Sequence, residues 1–117
     1  MTDRLDEIVA RLRAFVDERE WSQFHDPKNL AMAVASEAGE LLAELRWIAS
    51  SDADGWVRDQ DNRQRVAMEA ADVGIALLLL CDRIGVDLIN AMAEKIELNA
   101  KNYPMKLSKG NHSRPDA

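Results

Sequence analysis

The sequence contains one cysteine and two histidines, and each scarcity excludes a kind of protein. Cys81 has no partner for an intrachain disulfide, which favours a reducing compartment and predicts a cytoplasmic protein. His25 and His112 do not occur in Glu-x-x-His motifs, so the chain lacks the pattern of a ferritin-like di-iron site. The abundant side chains that could bind a metal are therefore carboxylates.

Basic residues are outnumbered, and long apolar segments are missing. The chain has 15 Lys and Arg against 21 Asp and Glu, a net charge of −6, and it lacks the basic stripe of a nucleic-acid-binding protein. The longest apolar run, residues 73–81, is far shorter than the roughly 20 residues that cross a membrane. The charged, amphipathic residues 1–12 do not resemble a signal peptide. We therefore expect that the protein binds no nucleic acid and does not cross a membrane.

Strand alternation and internal repeats are also absent, and the hydrophobic spacing predicts an all-α fold. Asp26 followed by Pro27 is typical of a helix start, and Gly85 is typical of a helix end. Asp87 and Pro104 bound the last helix. The four predicted helices span about residues 3–20, with a cap at Thr2 or Asp3, and about residues 27–48, 63–84 and 88–103. Residues 50–62 are predicted to form a long polar connection.

At 117 residues the chain is long enough for one domain. We predict a single helical domain over residues 1–106 and a disordered polar tail over residues 107–117. The second and third predicted helices are apolar over much of their circumference, so one protomer alone would leave apolar surface exposed. Burial against further copies is expected, as a four-helix bundle that forms a dimer or a dimer of dimers.

The third predicted helix carries two acids in apolar surroundings. Residues 66–81 read VAMEAADVGIALLLLC, in which only Glu69 and Asp72 are neither apolar nor glycine. A helix that is apolar on all sides belongs inside a protein, where an unpaired carboxylate costs several kcal/mol as an order of magnitude. Two like charges at positions i and i+3 raise that cost unless a cation lies between them. The pattern predicts a divalent cation at Glu69 and Asp72.

The second predicted helix repeats the arrangement. Glu37 falls within the stripe of core residues, and Glu40 and Glu44 lie at its edge. A turn between the helices would bring the two acid pairs together in an antiparallel arrangement. Carboxylate oxygens suit Mg²⁺ or Mn²⁺ better than zinc or copper. The alternative is that these acids are ordinary solvated surface charges.

Four segments of the chain, in this order, resemble a known family. The segments are FVDEREWSQFHDPKNL, EAGELLAELRW, EAADV and KIELNAKNYP. They resemble the MazG-like superfamily of all-α nucleoside triphosphate pyrophosphohydrolases, and most closely its small dCTP pyrophosphatase branch. The resemblance covers about residues 15–104. It implies Mg²⁺-dependent hydrolysis of an NTP or dNTP to the monophosphate and pyrophosphate, by a homodimer or homotetramer that balances or sanitises nucleotide pools.

The resemblance also implies a catalytic centre. Glu37, Glu40, Glu69 and Asp72 match the four metal-binding acids of the family. One of these carboxylates can serve as the base for the attacking water, and Glu40 is our candidate. Relatives have a further acid at the position of Ala43, whereas here the acid is the next residue, Glu44.

Five further residues match substrate-binding positions of the family. Trp21 and Trp47 correspond to aromatics that enclose the base in the dCTP branch. Lys95, Asn99 and Tyr103 match a K-x-x-x-N-x-x-x-Y run associated with the phosphates and the sugar. Each residue also has an ordinary structural interpretation: tryptophans fill cores and interfaces, a lysine is solvated, and a tyrosine before proline can anchor a chain end.

Three further interpretations follow from individual positions and from the family. His25 is interpreted as a loop-packing residue. Leu12 replaces a histidine of the dCTP branch, which predicts acceptance of more than one dNTP. Two rival functions are a phosphoribosyl-ATP type of pyrophosphohydrolase and a catalytically silent helical dimerisation module. The aromatic-rich segment around Trp21 opposes the first, and the complete set of acids opposes the second.

Overall fold

The computed structural model describes residues 3–115, which form helices and connections without a strand. The all-α prediction is confirmed. The elements are α1 (Arg4–Glu18), a 3-10 helix (Trp21–Phe24), α2 (Pro27–Leu45), α3 (Ser50–Arg58), α4 (Gln60–Ile84), α5 (Leu88–Asn102) and α6 (Met105–Ser108). The predicted cap at Thr2 and the last two residues of the predicted tail lie outside the described residues.

The chain divides into two compact units at Gly85. The first unit holds α1 to α4, and the second holds α5 and α6. The single domain predicted over residues 1–106 spans this division and stays a prediction. Residues 107 and 108, the start of the predicted tail, belong to α6, where the carbonyl of Pro104 accepts the amides of both.

The helix ends follow the local sequence signals. The Asp26 carboxylate accepts the amide of Asn29 at 2.8 Å, ahead of a helix that opens with Pro27. Asp87 caps α5 in the same way, through the amide of Asn90 at 3.0 Å. Gly85 ends α4 with φ of 71°, in the left-handed region that favours glycine. These predicted boundaries are confirmed.

The predicted connection over residues 50–62 is wrong, because most of it is helical. The half-buried side chains Ala53, Trp56 and Val57 share a face at helical spacing, and α3 packs against α4. Asp59 then caps α4 by accepting the amide of Asn62 at 3.1 Å, and the helix begins at Gln60, three residues before its predicted start. The four predicted helices are present, and α3 and α6 are additional.

The main helix–helix contact of the first unit joins α2 and α4. Glu44, late in α2, lies against Arg65, early in α4, whereas Leu30 and Leu79 line one cavity at the other end of the pair. The two helices are therefore antiparallel, as expected. Four residues among those described are buried: Val16, Leu30, Ala76 and Cys81. Within residues 3–115, no helix is long and apolar enough to cross a membrane.

Candidate metal centre

Three carboxylates meet where α2 packs against α4. Glu37 projects from the core-facing stripe of α2, and Glu69 and Asp72 lie one turn apart on α4. One ligand oxygen from each residue lies within 4.8 Å of the other two. The antiparallel packing therefore unites three of the four acids predicted from the sequence, and we call Glu37, Glu69 and Asp72 the acid trio.

The acid trio concentrates negative charge. Loss of hydration raises the pKa of Glu69, and the neighbouring charges of Asp72, Glu40, Glu44 and Glu37 raise it further. Glu37 and Glu69 are half-buried and Asp72 is exposed, so the predicted burial of both acids of α4 is only partial for Glu69 and is wrong for Asp72. The reason is that the surface of α4 around Asp72 is not covered within the protomer.

Glu40 and Glu44 occupy different surroundings. Glu40 is exposed and does not belong to the trio, although its charge is close enough to raise the pKa of Glu69. Glu44 accepts a hydrogen bond from Nε of Arg65 at 3.3 Å, and the same arginine donates to the Asn62 side chain at 2.6 Å. The charge of Glu44 is therefore balanced by Arg65, whereas the trio has no basic partner among the described ion pairs.

The geometry of the trio fits a hard divalent cation. One carboxylate oxygen from each of the three residues lies within 4.8 Å of the other two, so Glu37, Glu69 and Asp72 would hold a cation that prefers oxygen ligands, such as Mg²⁺. A cation between them would also relieve the repulsion that raises the pKa of Glu69.

An apolar groove of about 850 Å³ lies between α1, the 3-10 helix and α4. Trp21 stands at its wall and packs edge-on against Phe15, with ring centroids 5.6 Å apart and planes at 78°. Leu12 lines the groove as well, and so do Ile75 and Leu78 of α4. We call this the aromatic groove, and its flat, apolar wall suits a planar ring.

A second cavity of about 240 Å³ lies next to the aromatic groove and to two acids of the trio. It is lined by Glu37 and Asp72 and by the apolar residues Phe24, Leu30 and Ala33. His25, Ile75 and Leu79 line both cavities, so the two spaces are neighbours.

The remaining predicted site residues lie elsewhere. The Trp47 side chain is 82% exposed and lines neither cavity, which contradicts the interpretation as a core residue. The Arg46 guanidinium lies over its ring at 5.2 Å. Lys95 and Asn99 are exposed on α5 of the second unit, and Tyr103 follows that helix as its C-cap. The binding roles stay predictions for Trp47, Lys95, Asn99 and Tyr103.

Two basic side chains of the first unit were not singled out from the sequence. Arg13 donates from Nε to both carboxylate oxygens of Asp82, at 3.1 and 3.0 Å, and this hydrogen bond lowers the pKa of Asp82. Arg65 pairs with Glu44 as described above. The partners are 69 and 21 residues apart, so no local spacing could have revealed either pair.

A sequence profile of the MazG-like family matches residues 32–114, which include all four predicted acids. The chain belongs to the MazG-like family.

Individual relatives agree with this assignment. The chain is 40% identical over 108 residues to rat dCTP pyrophosphatase 1 and 37% identical over 108 residues to the human protein of that name. Each alignment covers 90% of this chain, and the chain spans 62% of the length of either mammalian relative. A crystal structure of a pyrophosphatase from Archaeoglobus fulgidus DSM 4304 superposes with a TM-score of 0.82 at 37% identity, covering 89% of this chain and 95% of the other.

Proposed function

We propose that the protein is a nucleoside triphosphate pyrophosphohydrolase that depends on a divalent metal. It converts an NTP or dNTP, either dCTP or a broader set, to the monophosphate and pyrophosphate. The observation that carries the proposal is the acid trio, two of whose members line a cavity that shares three lining residues with the aromatic groove. A nucleoside triphosphate needs both the groove and the trio. Its flat base suits the apolar groove, and its negatively charged phosphates need the cation that the trio is proposed to bind.

The choice of metal follows from the carboxylate oxygens that would bind it. Glu37, Glu69 and Asp72 would hold Mg²⁺ or Mn²⁺, with Glu40 as the fourth predicted ligand. When bound, the cation supplies positive charge for the phosphate oxygens. An acidic protein of net charge −6 has reason to recruit such a cation for an anionic substrate.

The chain's own groups complete the hydrolysis. The oxygen of a water molecule forms a bond to the α-phosphorus, the bond from that phosphorus to the bridging oxygen breaks, and pyrophosphate leaves. Glu40 is exposed beside the trio and can accept the proton of the attacking water. Lys95 is proposed to neutralise the leaving pyrophosphate, as the resemblance to the family implies.

The aromatic groove is proposed to hold the base. Trp21 offers a ring face for stacking, which tolerates any base. Leu12 lines this groove at the position where the dCTP branch carries a histidine, so a hydrogen-bonding group is replaced by an apolar one. This supports a substrate range wider than dCTP.

Self-association is part of the proposal. Met32, Leu42 and Met68 on α2 and α4 are 57%, 61% and 53% exposed, and few side chains of the described residues are buried. A homodimer or homotetramer would cover such apolar surface. Sedimentation at micromolar concentration should show a species larger than the 13.1 kDa protomer, and a protomer-sized species would contradict the proposal. A cytoplasmic location stays a prediction from the cysteine content.

The test of the activity is a pyrophosphate-release screen over the common NTPs and dNTPs. Each substrate is assayed with Mg²⁺, with Mn²⁺ and with excess chelator, and the nucleotide product is identified by chromatography. We expect equal amounts of monophosphate and pyrophosphate with several dNTPs, and none in chelator. Phosphoribosyl-ATP is assayed in the same way: its turnover alone would favour the first rival function, and no turnover of any substrate would favour the silent dimerisation module.

A further inference from the structure

We propose that Arg65 is a positioning residue of the metal centre, whose guanidinium holds the carboxylate of Glu44 away from the cation. The inference rests on the proposed function, because it needs a cation at the acid trio. It adds to that function a residue that determines which carboxylates reach the metal. Arg65 is not a metal ligand, so its effect passes through Glu44.

Glu44 lies on the face of α2 that carries the glutamate of the acid trio. It follows Glu37 by seven residues, which is two helical turns. On α4, Arg65, Glu69 and Asp72 likewise share a face, at positions i, i+4 and i+7. The antiparallel packing places Glu44 beside Arg65, about one turn of α4 from Glu69. The charge of Glu44 is close enough to raise the pKa of Glu69, so this fourth glutamate lies at the edge of the trio.

The two side chains lean in opposite directions along the helix pair. Side chains of an α-helix incline towards its N-terminus. Glu44 therefore inclines towards Glu37 and the trio, whereas Arg65 inclines towards the start of α4, away from Glu69. Since Nε of Arg65 donates to Oε2 of Glu44 at 3.3 Å, the hydrogen bond holds the carboxylate on the side away from the trio.

Arg65 is itself fixed by residues on that same side. A guanidinium nitrogen, Nη2, donates to Oδ1 of Asn62 at 2.6 Å, and Nδ2 of Asn62 donates to the carbonyl of Trp56 at 3.0 Å. The guanidinium carbon of Arg65 lies 5.9 Å from the centre of the Trp56 ring, within the range of a cation–π contact. These contacts from α3 and α4 keep the guanidinium from following Glu44 towards a cation.

A released Glu44 would change the metal centre in two ways. Its carboxylate would add an oxygen ligand and a negative charge, and both tighten the binding of a divalent cation. The added ligand would also occupy a coordination position that a water molecule or a phosphate oxygen takes otherwise. By holding Glu44, Arg65 therefore keeps the metal weaker in affinity and more open to the substrate.

The test measures Mn²⁺ binding to the metal-free protein by calorimetric titration, without nucleotide. Wild type, Arg65→Met, Glu44→Gln and the double variant form a double-mutant cycle. An ion pair this open to solvent, with side-chain exposures of 54% and 25%, is worth up to about 1 kcal/mol, or roughly fivefold in Kd. We expect Arg65→Met to tighten Mn²⁺ binding by that factor. In the Glu44→Gln background the change should be less than about twofold, because only a screened charge is then lost.

Two matched controls separate this role from a loss of charge and from a loss of packing. Arg63→Met removes the same charge two residues earlier, about 200° around the helix, and should leave the affinity unchanged. Arg65→Lys keeps a cation that can pair with Glu44 and should keep most of the wild-type affinity. Failure of Arg65→Met to tighten binding would overturn the inference, as would equal tightening with and without Glu44.

A second measurement does not require any Arg65 variant to fold. Water-proton relaxation counts the water molecules on bound Mn²⁺. Glu44→Gln should leave that number as in wild type, because Glu44 is held off the cation, whereas Glu37→Gln should raise it, because water replaces a lost ligand. A rise in Glu44→Gln would show that Glu44 is a ligand and would overturn the inference. Failure of the wild-type protein to bind Mn²⁺ would instead refute the metal centre of the proposed function, and the inference with it.

Discussion

The pKa values of two carboxylates on α4 are shifted in opposite directions. Loss of hydration and neighbouring acids raise the pKa of Glu69, in the first half of the helix. The hydrogen bond from Arg13 lowers the pKa of Asp82, near its end. Both residues are acids on one helix, and each has part of its side chain in water. The helix itself therefore does not decide the direction of the pKa shift. Their neighbours decide it: the fold places the guanidinium of Arg13 beside Asp82 and places Glu69 among other carboxylates.

The largest effect on turnover should come from removing an acid of the trio. Glu37→Gln, Glu69→Gln and Asp72→Asn each delete a proposed metal ligand, and each should lower kcat/KM by about a hundredfold or more, since even outer-shell partners of a metal are worth about 10- to 100-fold. Asp82→Asn is the matched control on the same helix and should keep most of the activity. Near-native turnover in a trio variant would remove that residue from the set of ligands.

The next largest effect concerns binding of the base in the aromatic groove. Trp21→Ala should weaken binding of a non-hydrolysable dNTP by about 1–3 kcal/mol, or roughly tenfold to a hundredfold, because a stacked base loses its partner. Binding of inorganic pyrophosphate, which has no base, should not change. Calorimetric titration of both ligands measures the contrast.

Trp47→Ala is the companion variant for the groove. The structure puts Trp47 at 82% exposure outside both cavities, whereas the family resemblance assigns it to the base. A loss confined to the dNTP would support that assignment. For either tryptophan, equal losses for the dNTP and for pyrophosphate, together with a lower Tm, would show a folding role instead.

A smaller effect should appear in the stability of the metal-free protein, with opposite signs for the variants of Glu69 and Asp82. Glu69→Gln removes one of several mutually repelling carboxylates and should raise Tm in excess chelator. Asp82→Asn removes the partner of Arg13 and should lower Tm slightly, because an ion pair exposed to solvent contributes little. A lower Tm for Glu69→Gln would show that the acid trio is not under electrostatic strain.

The smallest effect is a difference in the pH dependence of Tm, again in chelator. A raised folded pKa means that native Glu69 binds a proton more readily than the unfolded chain, so its contribution to stability grows as the pH falls from neutral towards its ordinary value of 4.5. The lowered pKa of Asp82 works the other way, because the stability it adds is complete above its ordinary value of 3.8 and is lost below it.

The same two variants separate these contributions. Glu69→Gln should lose the rise in Tm on mild acidification, and Asp82→Asn should lose part of the fall in stronger acid. Unchanged pH profiles in both variants would show that other carboxylates control the response to acid.

The sequence was sufficient where short-range physics decides the structure. Asp26 with Pro27, Asp87 and Gly85 act through hydrogen bonds and backbone angles within a few residues, and their predicted positions are confirmed. The spacing of Ala53, Trp56 and Val57 also carried a helical signal. It was missed because the polar residues around them are typical of a connection.

The site was predictable only in part, because its geometry depends on how α2 is rotated against α4. One helical turn separates Glu37 from Glu40, and the packing brings the first into the trio and leaves the second outside. The pairing of Glu44 with Arg65 arises between elements distant in sequence. No pattern within one segment encodes such contacts.

The small number of buried side chains has a consequence for how the protein behaves when diluted. With Val16, Leu30, Ala76 and Cys81 as its buried residues among those described, the protomer keeps little apolar surface from water by itself. Once a second copy covers the exposed faces, as proposed, folding and assembly share one equilibrium. Mass action then lowers the stability of a dimer by about 1.4 kcal/mol for each tenfold dilution. The abundance of the protein in the cell would thus help to determine how much of it is folded.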